Sequence, residues 1–456
     1  MSRSAVHIND AGITLLNGER ISYREPGFAL LDDRLLTTGN EAFACARIHP
    51  RRIHHRYWSN LGTEPLTVQR FSHLTAADLA SRQLEQMWRA GGADARELVV
   101  AVPAYMDARQ LGLLLGIAGE LKLPVVAMVD AAVAATRRQY KDAVPVHIDM
   151  SLHATTLTRL AQPGRALLER VEVLTDCGLY ALYDVWLNTL AEAFVQQSRF
   201  DPLHTAETEQ MLLDNLAAWL AQAARGDRVA LKMHYGGIDH KAEIESLALT
   251  GAAAPVYQAV ASKLRSLYRA EDTPAIQVTD RIARLPGLTE MLKARVGGEV
   301  FVLEPGATAR GALARNRDAS GRGSSISLRR QLPWDQSPAT VERDETARLH
   351  AGVPTHLLFG SKAYEINELT LTLGSREADG ERAITLGSDM PGISRRHCSL
   401  RLLSGQCVLE DHSRYGTFLN GHRIDGSTVL QVGDSLRVGS PGYEFQMITT
   451  DVAYGT

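Results

Sequence analysis

The chain has 456 residues, room for two or three domains, and its 45% hydrophobic and 22% charged residues are those of an ordinary globular protein. A formal net charge of −3 gives no electrostatic case for nucleic acid or an anionic membrane surface, so neither is expected as a partner. Cys45, Cys177, Cys398 and Cys407 lack metal-ligand spacing and read as free thiols. No apolar leader follows Met1, and the apolar run 111–135 is broken by Glu120, Lys122, Pro124 and Asp130. A cytoplasmic protein without membrane insertion is expected.

Strands are expected at 5–8 and 13–16 around a turn, and a β-rich run over 97–102 stops at Pro103. Residues 107–121 have helical period, apolar at Leu111, Leu114, Leu115 and Ala118. A strand at 125–129, a helix at 131–140 and a strand pair at 146–150 and 155–160 follow. Amphipathic helices are read at 180–194, 205–224 and 254–268. A strand at 275–279 and a helix at 288–296, behind a Pro-Gly start signal, complete an α/β order. Residues 315–350 are rich in Arg, Ser and Gly, then hold Pro333, Pro338 and a charged run from Glu342 to Arg348, the composition of a flexible linker. Within it Leu332-Pro333-Trp334 is an apolar island, either a docking peptide for a partner or a patch that packs back on the first domain. From 353 onward, short apolar runs separated by Gly, Asp, Ser and Asn read as an all-β sandwich.

Two strings in that last segment carry chemistry. Ser394-Arg395-Arg396-His397 puts a hydroxyl and two guanidinium groups at the start of a strand, and Asp411-His412-Ser413-Arg414-Tyr415-Gly416-Thr417-Phe418-Leu419-Asn420-Gly421 is a tight Gly-turn flanked by polar donors. A phosphate needs several donors converging on its oxygens, and neighbouring loops of a sandwich supply them. In this order the strings resemble the forkhead-associated (FHA) domain pattern, over roughly the last hundred residues. The resemblance implies that Ser394 donates to a phosphothreonine, that Arg395 contacts phosphate or peptide, and that His397, with Gly374, Gly416, Asn420 and Gly421, is structural. The family's phosphate-gripping arginine directly follows a glycine. Here the string is Gly374-Ser375-Arg376, so Arg376 is displaced by one residue and a one-residue bulge would restore it. The family's peptide-binding Asn is Tyr415 here, with Arg414 beside it as an alternative donor. The phosphopeptide candidates are therefore Arg376, Ser394, Arg395, Arg414, Tyr415 and Thr417.

The first part of the chain resembles the seventy-kilodalton heat-shock chaperones. The segments are Val99-Val100-Ala101-Val102-Pro103-Ala104-Tyr105, Val129-Asp130-Ala131-Ala132-Val133-Ala134-Ala135, Arg281-Ile282-Ala283-Arg284-Leu285-Pro286-Gly287 and Glu304-Pro305-Gly306-Ala307-Thr308-Ala309-Arg310-Gly311-Ala312, in the family's order. The resemblance implies an actin-like, two-lobed ATPase fold in which two Gly-rich hairpins hold the nucleotide's phosphates. The first hairpin here is Asp10-Ala11-Gly12-Ile13-Thr14-Leu15-Leu16, keeping Asp10 and Gly12. The second is Asp149-Met150-Ser151-Leu152-His153-Ala154, keeping Asp149 alone. Asp280-Arg281 stands where the family has Gly-Gly, so Arg281 is expected in the adenine pocket. Ala131 replaces the metal-positioning Glu, and no lysine stands near 56–59. Asp10, Gly12, Asp149 and Arg281 thus form a vestigial nucleotide site. The basic, aromatic string His49-Pro50-Arg51-Arg52-Ile53-His54-His55-Arg56-Tyr57-Trp58 reads as a solvated subdomain edge, with an acidic partner or RNA as the alternative.

These readings give an α/β actin-like (ribonuclease-H-like, two-lobed) domain over 1–314, a flexible linker over 315–350 and an all-β FHA sandwich over 351–456. The expected function is a non-catalytic scaffold or adaptor with no cofactor or metal, in which the FHA domain binds a phosphothreonine-containing partner linked to a Ser/Thr kinase. The alternative is a chaperone-like ATPase with residual ATP and Mg²⁺ binding through Asp10 and Asp149, targeted by its FHA domain.

Overall fold

A computed structural model describes residues 3–32, 36–92, 95–269, 271–316, 326–341, 353–359, 362–376, 382–386, 392–420, 422–439 and 442–449. The chain forms two units, one of Met1–Val260, Ala275–Met291 and Glu299–Val341, the other of Ala261–Pro274, Leu292–Gly298 and Glu342–Thr456.

The first unit holds two six-stranded sheets, five strands of each laid out on the same plan. In the first sheet, β1 (Arg3–His7), β2 (Ile13–Asn17) and β3 (Arg20–Glu25) form an antiparallel meander, and β4 (Glu97–Val102) and β5 (Val125–Asp130) add in parallel beyond β1, giving the order β3-β2-β1-β4-β5. In the second, β6 (Val144–Met150), β7 (Ala154–Ala161) and β8 (Ala166–Thr175) form the meander, and β9 (Pro274–Val278) and β10 (Glu299–Val302) lie beyond β6, giving β8-β7-β6-β9-β10. The chain therefore builds one strand order twice. In each sheet the hairpin between the first two strands brings a loop with a retained aspartate to the sheet's end: Asp10 after β1, Asp149 within β6.

The central strand β4 is apolar on both faces, as a covered parallel strand must be. Leu98, Val100 and Val102 join the core under α1 (Ala76–Gly91) and α2 (Ala108–Glu120), whereas Val99 and Ala101 face Val129, Val133, Ala309 and Ala312. Both helices start on reciprocal capping boxes, Thr75 with Asp78 and Asp107 with Gln110. Helix α1, absent from the sequence expectation, buries Leu79, Ala80, Leu84 and Met87 on one stripe. Gln83 on that stripe accepts from Tyr57 Oη (2.6 Å) and Trp58 Nε1 (2.7 Å), and both aromatics are fully buried. The aromatic half of the 49–58 string is therefore core, and only its basic half meets solvent.

Two expectations are corrected here. The helix expected over 131–140 is short: α3 (Ala131–Ala135) ends where Thr136 Oγ1 turns back to the Ala132 carbonyl, and Tyr140–Lys141 is already extended. The buried guanidinium of Arg315 caps it, donating to the carbonyls of Val133 (2.9 Å), Ala134 and Thr136 (2.8 Å). Residues 326–341, expected inside a flexible linker, are part of the first unit. Leu328–Arg329 pairs with β5, Gln331–Leu332 with β8 and Ala339–Thr340 with Tyr140–Lys141. Leu332 is buried and Trp334 packs beside it, so the apolar island packs back on its own unit. The rest of the expected linker, 317–325 and 342–350, lies outside the described residues.

Further secondary structure follows β8 in the chain, before β9. It comprises α4 (Leu179–Ser198), α5 (Ala206–Ala223), a hairpin of Arg228–Tyr235 with Ile238–Glu245, and a helix from Ser246 to Arg265. Among the described residues no helix is long and apolar enough to cross a membrane.

The second unit is a β-sandwich. Its strands are β11 (His356–Phe359), β12 (Lys362–Glu365), β13 (Leu371–Gly374), β14 (Arg382–Thr385), β15 (Cys398–Leu403), β16 (Gln406–Asp411), β17 (Thr417–Leu419), β18 (His422–Arg423), β19 (Ser427–Leu430), β20 (Ser435–Gly439) and β21 (Gly442–Ile448). One sheet runs β12-β11-β21-β20-β17-β18 and the other β14-β13-β15-β16-β19. Leu357, Leu373, Leu400, Leu409, Leu436, Val438 and Phe445 interdigitate between them, fully buried. Cys398 and Cys407 lie in that core as free thiols, their pKa values raised by burial.

Candidate functional site

Three loops converge at one end of the sandwich. The Ser375 amide, just past β13, donates to the Ser394 carbonyl (3.1 Å), and the Arg414 amide donates to Ser394 Oγ (3.3 Å). His397 fastens the second loop to the third. Its Nδ1 accepts from the Ser394 amide and its Nε2 donates to the Gly416 carbonyl, both at 3.1 Å, with the ring fully buried. An amide only donates and a carbonyl only accepts, so the ring is the neutral Nε2–H tautomer. Burial lowers its pKa accordingly.

Gly374 is required by contact: a Cβ there would strike the Arg395 carbonyl. Gly416 is required by conformation, with φ of 95° in the left-handed region. β13 pairs with β14 as far as Gly374, where the strand ends, one residue short of the position at which a bulge would lie. Arg376 stands instead in the bend beyond the strand end, exposed, as are Arg395, Arg396 and Arg414. Tyr415 is 62% exposed at the tip of the third loop.

Thr417, taken from the sequence as a peptide-contacting residue, faces the other way. It is fully buried, and its hydroxyl donates to Asp411 Oδ1 at 2.6 Å. The same oxygen accepts the Ser413 amide (3.0 Å), and Ser413 Oγ accepts the Gly416 amide (2.8 Å). Burial works against the Asp411 carboxylate, but the bonds from Thr417 and Ser413 hold its pKa below the ordinary carboxylate value. Asp411 was missed from sequence, although an Asp two residues before a Ser at a turn is an Asx signal. Asn420, expected to be structural, links β17 to β20: its Nδ2 donates to Asp434 Oδ1 (2.8 Å) and its Oδ1 accepts the Ser435 amide (2.9 Å). Gly421 lies outside the described residues.

In the first unit the vestigial candidates also meet. The Leu152 amide donates to Asp10 Oδ1 (2.7 Å), joining the two hairpin loops. Arg281, just past β9, donates to Asn9 Oδ1 (3.0 Å), the Met150 carbonyl (3.3 Å) and the Gly12 carbonyl (3.4 Å). A Cβ at Gly12 would lie 2.6 Å from the Arg281 guanidinium. Asp280 is held by Arg24 (3.2 Å) and Arg284 (2.8 Å). Asp149 pairs with His7 (3.2 Å). Burial opposes its charge, but His7, His147 and Arg281 outweigh that and hold its pKa well below the carboxylate range. At Asp10 burial outweighs the amides that bind it and the Arg281 charge, and pushes its pKa up to about 6. Leu152 and His153 are buried, and His153 Nε2 lies 2.8 Å from His55 Nδ1 in a stack that includes Tyr180. Among the described residues no three His, Cys, Asp or Glu side chains are grouped to hold a metal ion.

Residues 371–439 match the family model described as the FHA domain, so this part of the chain is an FHA domain. A comparison with curated proteins found no match.

Proposed function

We propose that the chain is a non-catalytic scaffold that docks a phosphothreonine-containing protein through its FHA domain, with the first unit serving as a protein-interaction platform. The observation that carries this reading is the convergence of Ser394 Oγ, the Arg414 amide and the exposed Arg376 and Arg395 on one sandwich edge, braced from behind by His397. A phosphate there accepts from the Ser394 hydroxyl, which the Arg414 amide orients, and from guanidinium forks. A phosphothreonine partner ties the scaffold to a Ser/Thr kinase. The doubled β3-β2-β1-β4-β5 order supports an actin-like first unit descended from a chaperone-type ATPase.

The magnesium and phosphates which that ancestry implies do not fit these residues. The Arg281 guanidinium bonds both hairpins, Asp10 Oδ1 is taken by the Leu152 amide, and Asp149 is paired with His7. No step of ATP chemistry is therefore assigned to it. The competing reading, a chaperone-like ATPase, requires this latch to open.

The test is calorimetric titration of the full chain with a phosphothreonine peptide library, alongside Ser394→Ala and Arg376→Ala, and separately with ATP and Mg²⁺. Micromolar binding that needs the phosphate and is lost in both variants is expected, with no heat from ATP. Peptide binding indifferent to phosphorylation would overturn the docking reading, and saturable ATP binding would revive the ATPase.

A further inference from the structure

The hairpin of the first unit has two edges, and Gln197, on α4, closes one of them. Its Nε2 donates to the Glu243 carbonyl (2.7 Å) and its Oε1 accepts the Glu243 amide (2.9 Å), so a side-chain amide stands in for a neighbouring strand. This contact also fixes the phase of the ladder. Glu243 points its backbone outward, so its register partner Ala230 is in a non-hydrogen-bonded pair and points outward on the other side. The direction repeats every second residue, so Lys232 and His234 do the same. Among the described residues, which run unbroken from 95 to 269, nothing is bonded to the backbone of these three.

That second edge is also marked by charge. The exposed row on the first strand is Arg228, Ala230, Lys232 and His234, and that on the second is Asp239, Lys241, Glu243 and Glu245. Arg228 pairs with Glu243, and Lys232 and His234 share Asp239, all at 2.8 Å. The basic side chains of the first strand thus have carboxylates on one flank and the bare edge on the other. On the opposite face Val229, Leu231 and Met233 are buried, with Tyr235 partly exposed beyond them. We infer that an extended segment of a partner protein, acidic at alternate residues and apolar between them, adds to this edge as a third strand. Its backbone bonds to Ala230, Lys232 and His234, and its carboxylates flank the basic row on the second side. A second copy laid antiparallel on the same edge would set its own basic row against this one, so like charge disfavours it. The inference rests on the platform reading of the first unit, to which it gives a surface, and is independent of phosphothreonine docking.

The experiment follows amide hydrogen exchange by NMR in the full chain, with three capped octapeptides in which Val alternates with Glu, Gln or Lys. In the free protein the amides of Ala230, Lys232 and His234 are expected to exchange fast, and those of Leu231 and Met233 slowly. The Glu peptide is expected to slow the three outward amides about tenfold or more, and to bind about threefold to tenfold more tightly than the Gln peptide at low salt, with the Lys peptide weakest. Ala230→Pro removes one outward amide, which an edge position tolerates. It should abolish the peptide's protection while Leu231 and Met233 stay slow, showing the hairpin intact. Lys232→Gln leaves the backbone alone and should at least halve the preference for the Glu peptide. Outward amides already slow in the dilute free protein would mean an occupied edge and overturn the inference. Peptide binding that leaves those amides fast, or that survives Ala230→Pro, overturns it and moves the platform to another face. Equal affinity for the Glu and Gln peptides overturns it too. No binding by any of the three overturns the inference and removes this support from the platform reading, whereas phosphothreonine docking stands or falls by its own titration.

Discussion

The Leu152 amide donates to Asp10 Oδ1 across 2.7 Å, tying together two hairpins 142 residues apart in the chain. Arg281 repeats the tie from a third segment through Asn9, Gly12 and Met150. Side chain and backbone thus hold the two sheet ends closed where bare glycine loops would leave room for phosphate. Arg281→Met removes three charge-assisted bonds while filling much of the same volume. It is expected to cost about 2–4 kcal/mol and to speed amide exchange at 9–13 and 150–153. Exchange there indistinguishable from wild type would show that Arg281 is not the latch.

Asp10 makes the same contact sensitive to pH. Its folded pKa of about 6 lies above the ordinary carboxylate value of 3.8, because burial outweighs the amides that bind it. Between those values the folded state holds a proton that the unfolded chain has released. The stability this provides is full below about pH 4 and is lost as pH rises through 6. Asp10→Asn keeps an oxygen for the Leu152 amide and removes the titration. Relative to wild type it should therefore gain on the order of 2 kcal/mol between pH 4 and pH 7. Urea unfolding at the two pH values measures this, and a pH-independent difference would contradict it.

His397 has the opposite sign. Burial lowers its folded pKa below the ordinary 6.5, so its contribution is full above about pH 6.5 and declines as pH falls through the lower folded value. Protonation also removes the only lone pair available to the Ser394 amide. Nitrogen NMR of the ring should show the neutral Nε2–H tautomer dominant at pH 6.5, where an ordinary imidazole is half protonated. A titration midpoint at or above 6.5 would refute the buried brace. His397→Ala leaves the Ser394 amide and the Gly416 carbonyl without their partner, with an expected cost of about 2–4 kcal/mol and loss of phosphopeptide binding.

What could be read without coordinates were local periods and local turns. The both-faces-apolar run Glu97–Val102, the helix after Asp107 and the strand at Thr417–Leu419 each announce themselves within their own residues. The hairpin Arg228–Tyr235 with Ile238–Glu245 carried a Gly236-Gly237 turn at positive φ, yet only Val229, Leu231 and Met233 are fully buried on its first strand. Lys232, His234 and the later charges hid that alternation. The FHA loops were legible as a motif, but the direction of Thr417 was not, because it depends on a carboxylate placed by a different strand. Arg281 was expected in the adenine pocket, and its actual partners lie up to 272 residues away. Local pattern carries no information on such distant partners.

The stretch 326–341 shows the same limit, with a testable consequence. Its Arg, Ser and Pro content reads as linker, but short segments of it close the edges of both sheets, and Leu332 is 2% exposed. Composition fails here because two-residue strands need almost no apolar content when a preformed edge supplies the hydrogen bonds. Leu332→Ala is expected to destabilise the first unit by about 2–4 kcal/mol, a cost no true linker residue would incur. Limited proteolysis should leave 326–341 uncut in wild type, despite Arg329 and Arg330, and cut there in the variant. Wild-type cleavage at Arg329 or Arg330 faster than global unfolding would return the segment to linker status and remove the edge strands from the fold's stability.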